Sequence, residues 1–178
     1  MEAIALACAN GQLPATVSIV VAPKAECPAS ETAQRLNLPI QVLSPKEADY
    51  EEELAHMLRY VDADYVCLCG YANLLPSKIL KLYPNRVLNI HPALLPKFGG
   101  KGMYGLNVHR AVIEAREPQS GCTVHLVTDH YDEGEILLQK ECPVLPEDTP
   151  ESLATRVLFL EHKAYPEALK RLILPNGN

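Results

Sequence analysis

The chain has 178 residues, 16 basic and 22 acidic, for a formal net charge of −6. That length fits one domain, and a hydrophobic share of 48% is enough to close a core, which argues against a disordered or fibrous chain. The acidic balance argues against a protein that coats nucleic acid through clustered Lys and Arg. No apolar run approaches the roughly 20 residues that span a bilayer, and Met1–Ile4 carries no basic n-region of an export signal.

Strand and helix signals alternate along the chain. Val17–Ala22 is a β-branched run suited to a buried parallel strand. Residues 30–37 predict a short helix and Ile40–Leu43 a strand between Pro39 and Pro45. Ala48–Val61 predicts a helix with Leu54, Leu58 and Val61 on one stripe. Asp64–Leu68 follows as a strand ended by Gly70, then Pro76–Tyr83 as a helix with Pro in its first turn. Val87–Ile90 is a strand leading into His91-Pro92, and a Pro- and Gly-rich loop runs to Gly105 before a helix over Leu106–Arg116. The rhythm then changes: Cys122–Val127 and Ile136–Val144 are two strand-like runs with no helix between them. A last long helix starts near Thr149-Pro150 with Leu153, Val157, Leu160, Ala164 and Ala168 inward, and Pro166 predicts a kink in it. Repeated βα units predict an α/β fold: an open, mainly parallel, Rossmann-like sheet with helices on both faces.

Such sheets bind ligands beyond the carboxyl ends of their strands. That rule selects Gly70–Leu75, Asn89–Pro96 and Thr128–Gly134. Asn89 and His91 stand two residues apart at a strand end, so period-2 geometry points both to one face. Asn can donate from its amide and His can act as a general acid, a pair suited to a developing oxyanion. A structural histidine beside a turn-forming Asn fits the same two residues. In Thr128–Gly134, either Asp129 or Asp132 is placed to hold a histidine protonated, though three carboxylates in six residues also suit a solvated turn. A metal held by His125, Asp129 and His130 lacks any recognised ligand spacing, and no metal is assigned. Gly100–Gly105 satisfies G-x-G-x-x-G but follows a loop rather than a strand, so no dinucleotide site is assigned and its glycines are read as a loop beside the site. Six cysteines include no C-x-x-C pair, and they are read as reduced, mostly buried thiols of a cytoplasmic protein. Alternation puts Cys67 and Cys69 on one strand face.

Together these residues resemble the formyltetrahydrofolate-dependent formyltransferases. Asn89–Pro96 is similar to that family's N-I-H-P-S-L-L-P element, with Ala93 at the Ser position. Gly121–His125, Asp129–Gly134 and Glu161-His162 with Tyr165-Pro166 resemble its G-x-[ST]-V-H, D-x-x-D-x-G and E-H…Y-P elements, and the likeness runs from about Glu2 to Leu172. The resemblance implies Asn89, His91 and Asp132 as the catalytic trio, with His91 kept cationic by Asp132. It implies His125 as a second histidine of the site and Glu161 as a ribose contact. The folate site implied is Gly70, Tyr71 and Leu75 against Asp129 and Gly134, with Pro92 at the strand exit. It implies direct formyl transfer from 10-formyltetrahydrofolate without a covalent intermediate. Within the family the likeness is greatest to the branch that formylates the amine of glycinamide ribonucleotide in purine biosynthesis. A deformylase, a sugar-amine or tRNA formyltransferase, and a non-catalytic folate-binding remnant are the alternatives. Small molecules are the implied partners, not nucleic acid or membrane; a homodimer is left open. Family members open with a strand, near mid-sheet, and a G-x-G-S-N loop that cradles phosphate, and Met1–Ile4 aligns just after it. The resemblance thus implies a single formyltransferase domain over 1–178, N-terminally truncated relative to the family and with a short tail after Leu172.

Overall fold

A computed structural model describes residues 1–174; most of the tail after Leu172 lies outside them. The elements are α1 (Glu2–Ala9), β1 (Val20–Ala22), α2 (Pro28–Arg35), β2 (Ile40–Val42), α3 (Tyr50–Tyr60), β3 (Val66–Leu68), α4 (Ser77–Leu82), β4 (Val87–His91), α5 (Leu106–Glu114), β5 (Gln119–Leu126), β6 (Ile136–Pro143) and α6 (Pro150–Ile173). β1 pairs with β2, and β3 with β4, in parallel. The two runs without a helix between them form an antiparallel pair, β5–β6, and β5 also runs antiparallel to β4. Among the described residues the strands form two ladders, β1-β2 and β3-β4-β5-β6.

Alternation along β3 and β4 shows why helices cover both faces. Val66, Leu68 and Val87 pack into a core with Leu54 and Leu58 of α3 and Ile79 of α4. Their neighbours Cys67 and Leu88 face a larger core with Ile4 of α1, Val112 of α5, and Leu153, Val157 and Ala164 of α6. Two faces, each apolar, require a layer on each side. The fold is the expected mixed α/β arrangement.

Several boundaries shift. β1 begins at Val20 rather than Val17, and β3 at Val66 rather than Asp64. Pro76 is the N-cap of α4, one step before its first turn, and Val61 lies past the end of α3 as its C-cap. Helix α1 was not anticipated: Glu2–Ala9 is apolar nearly all round, so it has no amphipathic period to read, although its alanines favour helix. α6 opens where Thr149-Pro150 predicts, with a capping box between Thr149 and Ser152, and continues through Pro166 to Ile173. From α6 the buried Tyr165 hydroxyl reaches 2.9 Å to the carbonyls of both Leu68 and Leu88. It ties the carboxyl ends of β3 and β4 together beneath the candidate site.

Candidate active site

The sheet register brings three strand ends side by side, with Leu68 opposite Asn89 and Asn89 opposite His125. The loops leaving them enclose a cavity of about 610 Å³, a volume suited to a small organic ligand. Gly70, Tyr71 and Leu75 form one wall, and Thr128, His130, Tyr131 and Asp132 another. Asn89, His91, Pro92 and His125 line it from the sheet, and Glu161 from α6.

Asp132 is the hinge of the arrangement. It takes a left-handed conformation (φ 56°) that turns its side chain inward. Two residues on, Gly134 passes so close to the Leu126 carbonyl that a Cβ would lie 1.7 Å from that oxygen, so no other residue fits there. Asp132 Oδ2 accepts the Gly100 N–H at 2.9 Å and lies 3.5 Å from His91 Nδ1. Its Oδ1 lies 3.5 Å from His125 Nε2. His125 is buried and donates from Nδ1 to the Leu126 carbonyl at 2.8 Å, which leaves Nε2 to accept from Asn89 Nδ2 at 3.2 Å. That bond fixes the Asn89 amide and uses one of its two hydrogens.

His91, 3% exposed, donates from Nε2 to the Phe98 carbonyl at 2.8 Å. Burial pushes its pKa below the ordinary histidine value, against the opposing pull of Asp132 and the Phe98 carbonyl. The two ring nitrogens of His91 thus face two acceptors, the Phe98 carbonyl and the Asp132 carboxylate. Burial acts to raise the Asp132 carboxyl, but His125, the Gly100 N–H and His91 together hold it below the usual carboxylate range. Glu161 is half-buried, and that burial pushes its carboxyl up to about 7.

Two expected residues lie elsewhere. Asp129 is an exposed residue on the loop surface, 2.8 Å from His130 Nδ1, and is not on the cavity wall. Gly134 shapes the loop from behind rather than lining it. The three residues of the metal reading are not gathered: His125 is buried, whereas Asp129 and His130 pair with each other on the exposed loop at the cavity mouth. Among the described residues no group of three or more His, Cys, Asp or Glu side chains is placed to hold a metal. The thiols are unpaired: Cys27, Cys122 and Cys142 are buried, Cys8 and Cys67 half-buried, and Cys69, beyond the end of β3, exposed.

The cavity also has a wall that the sequence reading did not identify. His109 on α5 is buried with its Nδ1 unpartnered, and Thr155 and Leu158 of α6 face the same space. His109 sits on the buried stripe of α5 beside Val108 and Val112, where helical period reads it as core. Gly100, Gly102 and Gly105 line the cavity from their loop, each at positive φ.

Residues 1–169 match the formyl transferase family. The chain belongs to that family. This formyl transferase is 42% identical to the chloroplastic phosphoribosylglycinamide formyltransferase of Arabidopsis thaliana over 167 residues, covering 91% of the chain and 57% of the plant protein. The chain thus spans little more than half the length of that plant relative. It is 32% identical to phosphoribosylglycinamide formyltransferase of Haemophilus influenzae, covering 96% of the chain and 80% of the relative. The solved structure of glycinamide ribonucleotide transformylase 1 from Symbiobacterium toebii superposes with a TM-score of 0.88 at 38% identity, over 96% of the chain and 80% of that structure's chain.

Proposed function

We propose that this formyl transferase passes the formyl group of 10-formyltetrahydrofolate directly to the amine of glycinamide ribonucleotide, as a step of purine biosynthesis. The observation that supports this reading is the meeting of Asn89, His91 and Asp132 at one cavity. The named relatives share the activity in their names.

In this reading the free amide hydrogen of Asn89 donates to the formyl oxygen as the amine nitrogen attacks the formyl carbon. A carbon–nitrogen bond forms and the carbonyl electrons move onto the oxygen. The His91–Asp132 pair takes up the proton that leaves the amine, the carboxylate beside the ring stabilising the charge. As the bond to the folate nitrogen breaks, that nitrogen takes the electron pair and the proton returns to it. The Gly70–Leu75 segment and Tyr131 flank the space for the folate ring. Glu161 is on the wall that would face the ribose. Residues 1–178 act as one formyltransferase domain, and six unpaired thiols support a reducing, cytoplasmic setting. Among the described residues no helix is long and apolar enough to cross a membrane.

The test is formyl-donor consumption with and without glycinamide ribonucleotide, with products identified by mass. Formylated acceptor that forms only when the amine is present supports the reading. Equal donor consumption without the acceptor, releasing formate, replaces it with a deformylase.

A further inference from the structure

The main chain that leaves His91 is held from two strands away. Residues 92–99 contain no helix or strand, and no backbone–backbone hydrogen bond joins them to any other described part of the chain. Pro92 and Pro96 have no N–H to offer. The segment nevertheless returns to its own histidine, since the Phe98 carbonyl lies 2.8 Å from His91 Nε2. Where Phe98 arrives depends on what fixes the chain in between.

Two side chains, directly opposite one another in the β5–β6 register, do that. Thr123 of β5, fully buried, donates from its hydroxyl to the Ala93 carbonyl at 2.7 Å and accepts the Leu95 N–H at 3.0 Å. Gln139 of β6 reaches Thr123 Oγ1 at 2.9 Å and the Leu95 carbonyl at 3.0 Å with the same side-chain nitrogen. A carbonyl oxygen only accepts, so the Gln139 amide is turned with its NH2 toward the loop, one hydrogen to each partner. The Thr123 hydroxyl, with one hydrogen given and two received, is then saturated. β6 is the outer strand of its ladder, and Gln139 as a whole is exposed there.

We propose that Gln139 is a positioning residue for the transfer centre. With Thr123 it pins both main-chain groups of Leu95, and so fixes a loop that starts at the His91 imidazole and ends at the carbonyl holding it. Gln139 is not on the cavity wall and acts through the loop alone. For its effect on turnover the assignment rests on the formyl-transfer reading; for its effect on the loop it does not.

Two substitutions test it on the whole chain, each keeping the size of the side chain while removing its donors. Gln139→Met leaves the Leu95 carbonyl without its partner, and Gln139→Glu sets a carboxylate against it. Both variants should keep a cooperative melt, because the residue is exposed on an edge strand. Hydrogen exchange of the Leu95 N–H, followed by NMR, is expected to speed up at least about tenfold in both. The kcat is expected to fall about fivefold in Gln139→Met and at least about tenfold in Gln139→Glu, since small misplacements of reacting groups cost this much or more. The KM for the formyl donor should stay within about threefold, as expected when groups acting in the transition state are displaced. A role in packing alone predicts the opposite order, with the isosteric Gln139→Glu close to wild type. Glu141→Gln, on the same exposed face of β6, should change neither exchange nor kcat. A wild-type kcat in Gln139→Glu overturns the positioning role, and so does a Leu95 N–H that exchanges at the wild-type rate in both variants. A wild-type protein that transfers no formyl group, while the variants still loosen the Leu95 N–H, overturns the functional reading and leaves the pin standing.

Discussion

At Asp132 one carboxylate faces two imidazoles and a backbone N–H, and its removal should act on turnover rather than on binding. Asp132→Asn and Asn89→Ala are each expected to lower kcat about a hundredfold, with folate binding little changed, as measured by steady-state kinetics and equilibrium titration. Glu161 carries a different prediction. Its folded pKa of about 7 stands above the ordinary carboxyl value because burial disfavours the charge. Between those two values the folded chain holds a proton that the unfolded chain has lost, so stability falls as pH rises through that window. Thermal melts from pH 5 to 8 should therefore show wild type losing Tm relative to Glu161→Gln as pH rises; parallel curves would refute this. At this scale the sequence is informative only where backbone period fixes direction. Asn89 and His91 were placed by strand alternation. The choice between Asp129 and Asp132 rests on a left-handed φ that no composition rule announces. His109 reads as core because core and cavity wall share one helical stripe.

Among the elements, the exit from β4 is held by β5 and β6. Thr123, fully buried on β5, donates to the Ala93 carbonyl at 2.7 Å and accepts from the Leu95 N–H at 3.0 Å and from Gln139 Nε2 at 2.9 Å. Thr123→Val keeps the shape and strands those partners. It should cost about 1–3 kcal/mol in urea unfolding, and an unchanged midpoint would mean that the loop after His91 is held elsewhere. The elements legible from sequence were those with strong punctuation. Thr149-Pro150 marks the start of α6, and β5 and β6 follow one another without a helical pattern between them. Helix α1, with neither cap nor polar face, was invisible. β1 and β3 came out shorter than expected, paired only over Val20–Ala22 and Val66–Leu68, while β4 runs on to His91 and β5 starts earlier, at Gln119.

For the whole molecule, the two-faced layering followed from alternating βα signals, while the division into two ladders is a matter of which edges meet, which the local pattern does not contain. Thiol chemistry reports on the assembled fold. Cys69 is exposed, while burial pushes both Cys67 and Cys122 up to about 12. Under native conditions a thiol reagent should modify Cys69 fastest, and in denaturant all six cysteines should react; fewer than six would reveal a disulfide. The central claim is that amide, imidazole and carboxylate act on one carbonyl. A crystal structure with a non-transferable formyl-folate analogue tests it most directly. The formyl oxygen is expected about 3 Å from Asn89 Nδ2, with the formyl carbon facing His91 and Asp132. An analogue seated away from the Gly70–Leu75 and Thr128–Asp132 walls, or with its formyl group turned away from Asn89, would contradict the account.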